Sequence, residues 1–164
     1  MGAVLIAIVS DTHIPRGRRT LPPACVERLR AADLVLHAGD LTSVAFLEEL
    51  HALGPPVEAV VGNVDEPALH ELLPVERVVD VGEARIGMVH VGGAAAGRPE
   101  RLVARFPGCA AVVYGHSHLP EVTLHRGVWI LNPGSPTERR RAPFPSLIEL
   151  TVAGTELTPV LREV

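Results

Sequence analysis

The chain has 164 residues, of which 47% are apolar and 21% charged, a balance that is typical of globular proteins and argues against disorder. Fifteen basic and nineteen acidic residues give a net charge of −4, which disfavours a nucleic-acid module held by phosphate charge alone. The two cysteines are too few for a disulfide framework or a cysteine-rich zinc site, and this low number suits a cytoplasmic protein.

The first half of the chain predicts strands that alternate with helices. Residues 3–9 form a continuous apolar run with β-branched members, which is typical of a buried strand. This run is too short to span a bilayer and lacks a preceding basic segment, so we expect neither membrane association nor a signal peptide. The alternation implies parallel strands joined by right-handed crossovers. The predicted elements are a strand over 3–9, a helix over 22–32, a strand over 33–38, a helix from Ser43 to Leu53 and a strand over 57–61.

The second half is richer in strands, and glycine-containing turns join most of them into hairpins. No repeat, linker or shift in composition divides the chain. We therefore expect a single domain over residues 1–164, of the α/β class, built as a four-layer α-β-β-α sandwich of two mixed sheets. The predicted elements are hairpin strands over 75–81 and 84–91, a helix over 99–106, a strand over 110–114, hairpin strands over 121–125 and 128–131, and hairpin strands over 147–152 and 156–161.

Metal-binding side chains follow the predicted strands or end them. Ligands of open α/β sheets bind beyond the carboxyl ends of the strands, so these side chains are expected to meet at one rim. Imidazole combined with carboxylate or amide oxygen suits transition metals such as Mn, Fe, Ni or Zn. Seven ligands are too many for one tetrahedral ion but match two ions about 3.5–4 Å apart that share a carboxylate. The candidates are Asp11, His13, Asp40, Asn63, His90, His116 and His118.

Each fragment alone has a simpler interpretation. An Asp two residues before a His arises often by chance, while Gly39-Asp40 and the segment Gly62-Asn63-Val64-Asp65, each after a strand, are more often ordinary turns. A lone His90 in an apolar strand is usually a hydrogen-bonded core residue, and His116 and His118 alone would pass as surface imidazoles. The metal hypothesis therefore depends on the conjunction, because five independent turns would not all be expected to carry metal-competent residues.

The segments SDTHIPRG, HAGDLTS, VVGNVD, YGHSHLP and LNPGSPTERR, in this order, resemble the calcineurin-like metallophosphoesterases. In particular they resemble the small bacterial and archaeal phosphodiesterase subfamily of the YfcE/MJ0936 type. The resemblance runs from Val4 to about Arg140. It implies the metallophosphoesterase fold and a metal-dependent phosphoesterase, specifically a phosphodiesterase, that acts on a small phosphoester with a metal-activated hydroxide and in-line attack on phosphorus.

The resemblance also implies a division of the ligands between two divalent ions, whether Mn, Ni, Fe or Zn. Asp40 would bridge them and, with Asn63 and His90, belong to the catalytic residues. One ion would take Asp11, His13, Asp40 and His118, and the other would take Asp40, Asn63, His90 and His116.

Three positions around these ligands carry further expectations. Larger relatives have a histidine directly after the Asn, where Val64 stands here, so no general acid occupies the expected place. Arg16 is a candidate substrate-binding residue, although a solvated loop cation is at least as good an interpretation. His37 is expected to support the ligands rather than to bind metal, because the ligand set is already full.

Two other functional classes remain open from the sequence. One is a non-catalytic metal-binding scaffold that resembles the retromer subunit Vps29. The other is a nuclease that resembles the Mre11 catalytic core, which the short chain, the net charge and the missing general acid disfavour. The late hairpins have strand edges that could pair between copies, which would give a homo-oligomer.

Overall fold

A computed structural model describes residues 2–164. The helices are α1 (Pro23–Ala31), α2 (Val44–His51), α3 (Pro67–Leu72) and α4 (Arg98–Arg105). The strands are β1 (Val4–Val9), β2 (Leu34–His37), β3 (Val57–Ala59), β4 (Glu76–Val81), β5 (Ala84–Val89), β6 (Ala111–Val113), β7 (Glu121–His125), β8 (Val128–Asn132), β9 (Ser146–Ala153) and β10 (Glu156–Glu163). Among these described residues, no helix combines the length and the apolar character needed to cross a membrane.

The strands form two mixed five-stranded sheets, with the orders β10-β9-β1-β2-β3 and β4-β5-β6-β8-β7. Strands β1, β2 and β3 are parallel, as the alternation of strands and helices predicts. The three predicted hairpins are antiparallel pairs: β4 with β5, β7 with β8, and β9 with β10. Strands β5 and β6 of the second sheet are also parallel, and α4 connects them.

The alternation of side chains along β1 builds two separate cores. Ile6 and Ile8 point into the core between the two sheets, while Ala7 and Val9 point into a core shared with α1 and α2. A third core packs α4 against the outer face of the second sheet. The four layers are thus helices, sheet, sheet and helix, which confirms the predicted sandwich.

The structure corrects the sequence prediction in one helix and in the bounds of several strands. Helix α3 was not predicted, because its six residues bury only Leu69 and show no helical periodicity. Four predicted strands are shorter in the structure: 33–38, 57–61, 84–91 and 110–114 become Leu34–His37, Val57–Ala59, Ala84–Val89 and Ala111–Val113. The backbone of Val61 donates a hydrogen bond to the Pro74 carbonyl outside the sheet, so the chain has left the strand ladder before the predicted end.

Candidate metal centre

The carboxyl ends of five strands deliver the seven candidate ligands to one edge of the sandwich. Five of these residues adopt left-handed backbone conformations, with φ between 49° and 69°, which non-glycine residues adopt rarely and mostly at functional sites. β1 is followed by Asp11 and His13, β2 by Asp40, β3 by Asn63, β5 by His90 and β6 by His116 and His118.

The first cluster consists of Asp11, His13 and His118, all three of them buried. Their candidate ligand atoms lie within 4.8 Å of one another. The Oδ1 atom of Asp11 is 3.5 Å from Nε2 of His118 and 3.9 Å from Nε2 of His13. These are the separations expected for ligands around one common cation, since each ligand atom would lie about 2.0–2.2 Å from the ion.

The second cluster consists of Asp40, His90 and His116, whose candidate ligand atoms also lie within 4.8 Å of one another. The Oδ1 atom of Asn63 is 3.0 Å from Nε2 of His90 and 3.1 Å from Nδ1 of His116. Asn63 and His116 are exposed, whereas Asp40 and His90 are buried. The second cluster therefore opens to solvent on the side of Asn63 and His116.

Asp40 joins the two clusters through a single oxygen atom. Its Oδ2 lies 3.5 Å from Nε2 of His13 in the first cluster and 3.2 Å from Nε2 of His90 in the second. One carboxylate oxygen thus faces candidate ligand atoms of both clusters, as a ligand shared by two cations must.

The carboxylate, amide and imidazole groups of the two clusters suit divalent cations. Two buried polar atoms of the first cluster, which lack hydrogen-bond partners among the described residues, indicate where a cation would bind there. Within residues 2–164, Oδ1 of Asp11 and Nε2 of His13 are buried and have no hydrogen-bond partner. Buried polar atoms in proteins are almost always paired, and leaving one unpaired costs about 1–3 kcal/mol. A cation between them would satisfy both atoms, and carboxylate with imidazole suits a transition metal.

Backbone carbonyls fix the orientation of two of the imidazoles. Nδ1 of His90 donates to the Ala38 carbonyl at 2.7 Å, and Nδ1 of His118 donates to the Glu138 carbonyl at 2.5 Å. Each bond leaves the Nε2 lone pair of the ring facing the clusters, which is the arrangement that metal-binding histidines usually have.

Burial and mutual charge set the protonation of the ligands in the absence of a cation. Burial raises the pKa of Asp11 to about 7 and lowers that of His13 to about 4. Burial opposes ionisation of Asp40, but the hydrogen bond and charge of His90 outweigh it and lower the pKa of Asp40 to about 2. The pKa of His90 is raised by its pairing with Asp40, against the effect of burial. A cation must therefore displace a proton from this group of residues, which makes its affinity pH-dependent.

His37 lies behind the ligands and does not join either cluster. Its Nδ1 accepts a hydrogen bond from the backbone N–H of Gly39 at 3.1 Å, which leaves Nε2 to donate to Oγ1 of Thr12 at 3.0 Å. Complete burial lowers the pKa of His37 to about 3, so the ring is neutral. The residue braces the two loops that carry Asp11 and Asp40, in agreement with the supporting role expected from the sequence.

Asp65 is a structural residue of the site that the sequence reasoning left as part of a turn. Its two oxygens accept hydrogen bonds from the backbone N–H groups of Asp40 at 3.2 Å, Thr42 at 2.7 Å and Gly62 at 2.7 Å. The carboxylate thereby ties the loop after β2 to the loop after β3. The spacing Asn63-x-Asp65 was the available signal, because a carboxylate in a turn commonly accepts from nearby backbone donors.

We expect Asp65→Asn to lower the free energy of unfolding by about 1–3 kcal/mol. The amide nitrogen of the asparagine would replace one acceptor oxygen, so at least one backbone N–H group that is paired in the native protein would lose its partner. Urea denaturation at pH 7 measures the change. Asp80→Asn is the matched control, since the Asp80 side chain is 77% exposed. Equal stability of the Asp65→Asn and control proteins would contradict this role.

Glu138 is a second residue that the sequence reasoning missed. Its Oε2 lies 3.8 Å from Nε2 of His13, beside the first cluster. The same oxygen is 3.4 Å from Nη1 of Arg19 and 3.6 Å from Nη1 of Arg16. The pKa of Glu138 is lowered by His13 and the arginines, although partial burial opposes this effect. Arg16 is thus placed near the centre but faces Glu138, and its contact with substrate stays a prediction.

We expect Glu138→Gln to weaken Mn²⁺ binding about tenfold, because it removes a negative charge beside His13 and the hydrogen-bond partners around metal ligands typically contribute this much. Isothermal titration calorimetry on the metal-free protein measures the affinity. Glu163→Gln, an exposed position at the end of β10, is the control. Unchanged affinity in Glu138→Gln would show that the arginines alone neutralise the carboxylate.

Comparison with known proteins identifies the family of the chain. Residues 4–155 match the family model described as the calcineurin-like phosphoesterase superfamily domain. The chain is 36% identical, over 94% of its length and 89% of the relative, to a protein of Methanothermobacter thermautotrophicus named probable metallophosphoesterase.

Two solved structures extend the comparison to the fold. Vps29 of Chaetomium thermophilum has a TM-score of 0.83 at 26% identity, covering 96% of this chain and 84% of that one. A Thermotoga maritima protein solved by NMR has a TM-score of 0.77 at 30% identity, covering 98% of this chain and 99% of that one. With the family match spanning nearly the whole sequence, the chain belongs to the calcineurin-like phosphoesterase superfamily, as the resemblance in its motifs implies.

Proposed function

We propose that the protein is a hydrolase of phosphodiesters that works with two divalent transition-metal ions, whether Mn, Ni, Fe or Zn. The observation that carries the proposal is the position of Oδ2 of Asp40, 3.5 Å from one candidate ligand atom of the first cluster and 3.2 Å from one of the second. A single cation site would not need a carboxylate placed between two sets of imidazoles.

Asp40 would be shared by the two ions. When bound, the ions would supply Lewis acidity toward water and the phosphoryl oxygens. The first ion would also be held by Asp11, His13 and His118, and the second by Asn63, His90 and His116.

The chain's own side chains prepare this centre in distinct ways. Burial acts to raise the pKa of Asp40, but the hydrogen bond and charge of His90 lower it to about 2, so Asp40 is ionised at neutral pH and its oxygens remain acceptors. His90 is held in one orientation by the Ala38 carbonyl. Asn63 offers a neutral oxygen on the exposed side of the second cluster, where a phosphoester would enter, and a neutral ligand leaves positive charge to attract the phosphate.

The chain has no proton donor at the position where larger relatives place one. Val64 occupies it with a side chain that is 48% exposed, and its backbone N–H donates to Oδ1 of Asp40 at 3.0 Å. Val64 therefore contributes to holding Asp40 but cannot protonate a leaving group.

We expect the enzyme to depend strongly on the leaving group, because general acid catalysis is worth about 10²- to 10⁴-fold and is missing from this position. Methyl p-nitrophenyl phosphate and dimethyl phosphate share one methyl arm and differ in the leaving group. Comparing their kcat/KM values with metal-loaded protein measures the dependence. Similar values for the two esters would mean that another group supplies the proton.

The proposed function is tested by stripping the purified protein of metal and reloading it with Mn²⁺, Ni²⁺, Fe²⁺ or Zn²⁺. We expect two ions per chain by mass spectrometry of the metal content, and hydrolysis of bis-p-nitrophenyl phosphate that the stripped protein lacks. Two bound ions without any hydrolysis would favour the scaffold alternative, which the structural likeness to Vps29 supports. Fewer than two ions together with hydrolysis would refute the dinuclear centre.

A further inference from the structure

We propose that this centre accepts phosphoesters with one bulky apolar arm, such as an aryl group, which lies in a groove beside the second cluster. The inference rests on the proposed function and adds the substrate class. The groove is a cavity of about 810 Å³ whose lining includes Val61, Val75, Val89, Val91 and Leu102 together with Asn63 and His90. We refer to it as the valine groove.

The valine groove is continuous with the candidate metal centre. Asn63 and His90 line the groove and are also candidate ligands of the second cluster. Val91 directly follows His90 in the chain and Val61 precedes Asn63 by two residues. A phosphoryl group held at the second cluster would therefore lie beside the groove. An ester arm that extends from phosphorus in that direction would contact the residues that line the groove.

The lining of the groove favours an apolar arm. Val61, Val89 and Leu102 are buried, while Val75 and Val91 are 62% and 43% exposed. Partly exposed branched side chains gain free energy when a ligand removes them from water, by about 25 cal/mol for each Å² of apolar surface. Binding sites for small molecules are typically apolar clefts of about 300–1,000 Å³ with a few polar groups at one point, and this cavity fits that description.

The charged residues of the lining argue against a second phosphate in the groove. Arg101 donates through Nη1 to the Ala96 carbonyl at 2.7 Å and through Nη2 to the carbonyls of Ala94 and Gly92. Arg105 pairs with Glu76 through its Nε. Each guanidinium group thus has an oxygen partner within the chain that offsets part of its pull on an anion, while the valines and Leu102 supply the apolar surface of the groove.

The test compares two phosphonates that resist hydrolysis and differ only in the group attached to phosphorus, which is phenyl in one and methyl in the other. Zinc-loaded protein with ¹³C-labelled valine methyl groups is titrated with phenylphosphonate and with methylphosphonate, and NMR follows the methyl signals. We expect phenylphosphonate to bind at least about tenfold more tightly, in line with the apolar area of a phenyl ring. It should shift the signals of Val61, Val75 and Val91 but not those of the exposed Val122 and Val160 on β7 and β10.

Two valine variants, one inside and one outside the groove, test whether the groove is the source of the difference in affinity. Val75→Asn is expected to reduce the ratio of phenylphosphonate to methylphosphonate affinity at least fivefold, whereas Val122→Asn should leave it unchanged. Equal affinities for the two phosphonates, or shifts outside the groove, would refute the groove proposal and leave the phosphoesterase proposal intact. Failure of both phosphonates to bind zinc-loaded protein would count against both proposals.

Discussion

Asp40→Asn is expected to abolish binding of a second cation and to lower phosphodiester hydrolysis at least 100-fold. Oδ2 of Asp40 lies 3.5 Å from Nε2 of His13 and 3.2 Å from Nε2 of His90, so it faces a candidate ligand atom of each cluster. The amide is neutral and presents one acceptor oxygen, so it cannot offset the charge of two ions. Changes that only touch partners of metal ligands cost about 10- to 100-fold in affinity or activity, and the loss of a shared ligand should exceed this.

The fold should survive this substitution, which makes the result interpretable. Oδ1 of Asp40 accepts from the backbone N–H of Val64, and the carbonyl oxygen of an asparagine can keep that bond. Metal content by mass spectrometry and turnover of bis-p-nitrophenyl phosphate give the two readouts, with the exposed Asp80→Asn as control. Two bound ions in Asp40→Asn would mean that Asp40 is not the shared ligand.

Gly62→Ala is expected to damage the same centre without touching a ligand. A Cβ atom at Gly62 would lie 2.1 Å from Oδ1 and 2.2 Å from the backbone N of Asp40, far inside contact distance. Neither atom can retreat freely, because Asp40 is buried and its backbone N–H is bonded to Asp65. Overpacking of this kind typically costs about 1–3 kcal/mol or more.

The expected result for Gly62→Ala is a fall in the urea midpoint together with loss of the second cation. Gly2→Ala is the matched control, because a Cβ at Gly2 meets nothing within 4 Å. Calorimetric titration with Mn²⁺ and urea denaturation separate the effect on the site from the effect on stability. Normal metal binding in Gly62→Ala would show that the loop after β3 can move away from Asp40.

The sequence predicted the parts of this protein that depend on local pattern. The apolar runs of β1 and β2 and the polar residues that end them are visible in the chain itself, and parallel strands necessarily bring such ends together. The Ser43 cap of α2 was also foreseeable, and its side chain accepts from the backbone N–H of Phe46 at 3.1 Å.

The parts that depend on long-range packing could not be predicted in this way. Glu138 reaches His13 across 125 positions, and nothing in the run of charges around it distinguishes it from a solvated residue. The valine groove is lined by segments that follow β3, α3 and β5 and by α4, so no single stretch of sequence carries its pattern. Six residues are too few for α3 to show an amphipathic period.

The hydrogen bond from His90 to Ala38 crosses from one sheet to the other, and the candidate ligands are divided in the same way. Asp11, His13, Asp40 and Asn63 follow strands of the first sheet, while His90, His116 and His118 follow strands of the second. A pair of ions held by both sets would act as a non-covalent clasp across the layers. Part of the binding free energy of the ions would then be conformational stability of the sandwich, so that catalytic competence and resistance to unfolding would rise and fall with the same metal supply.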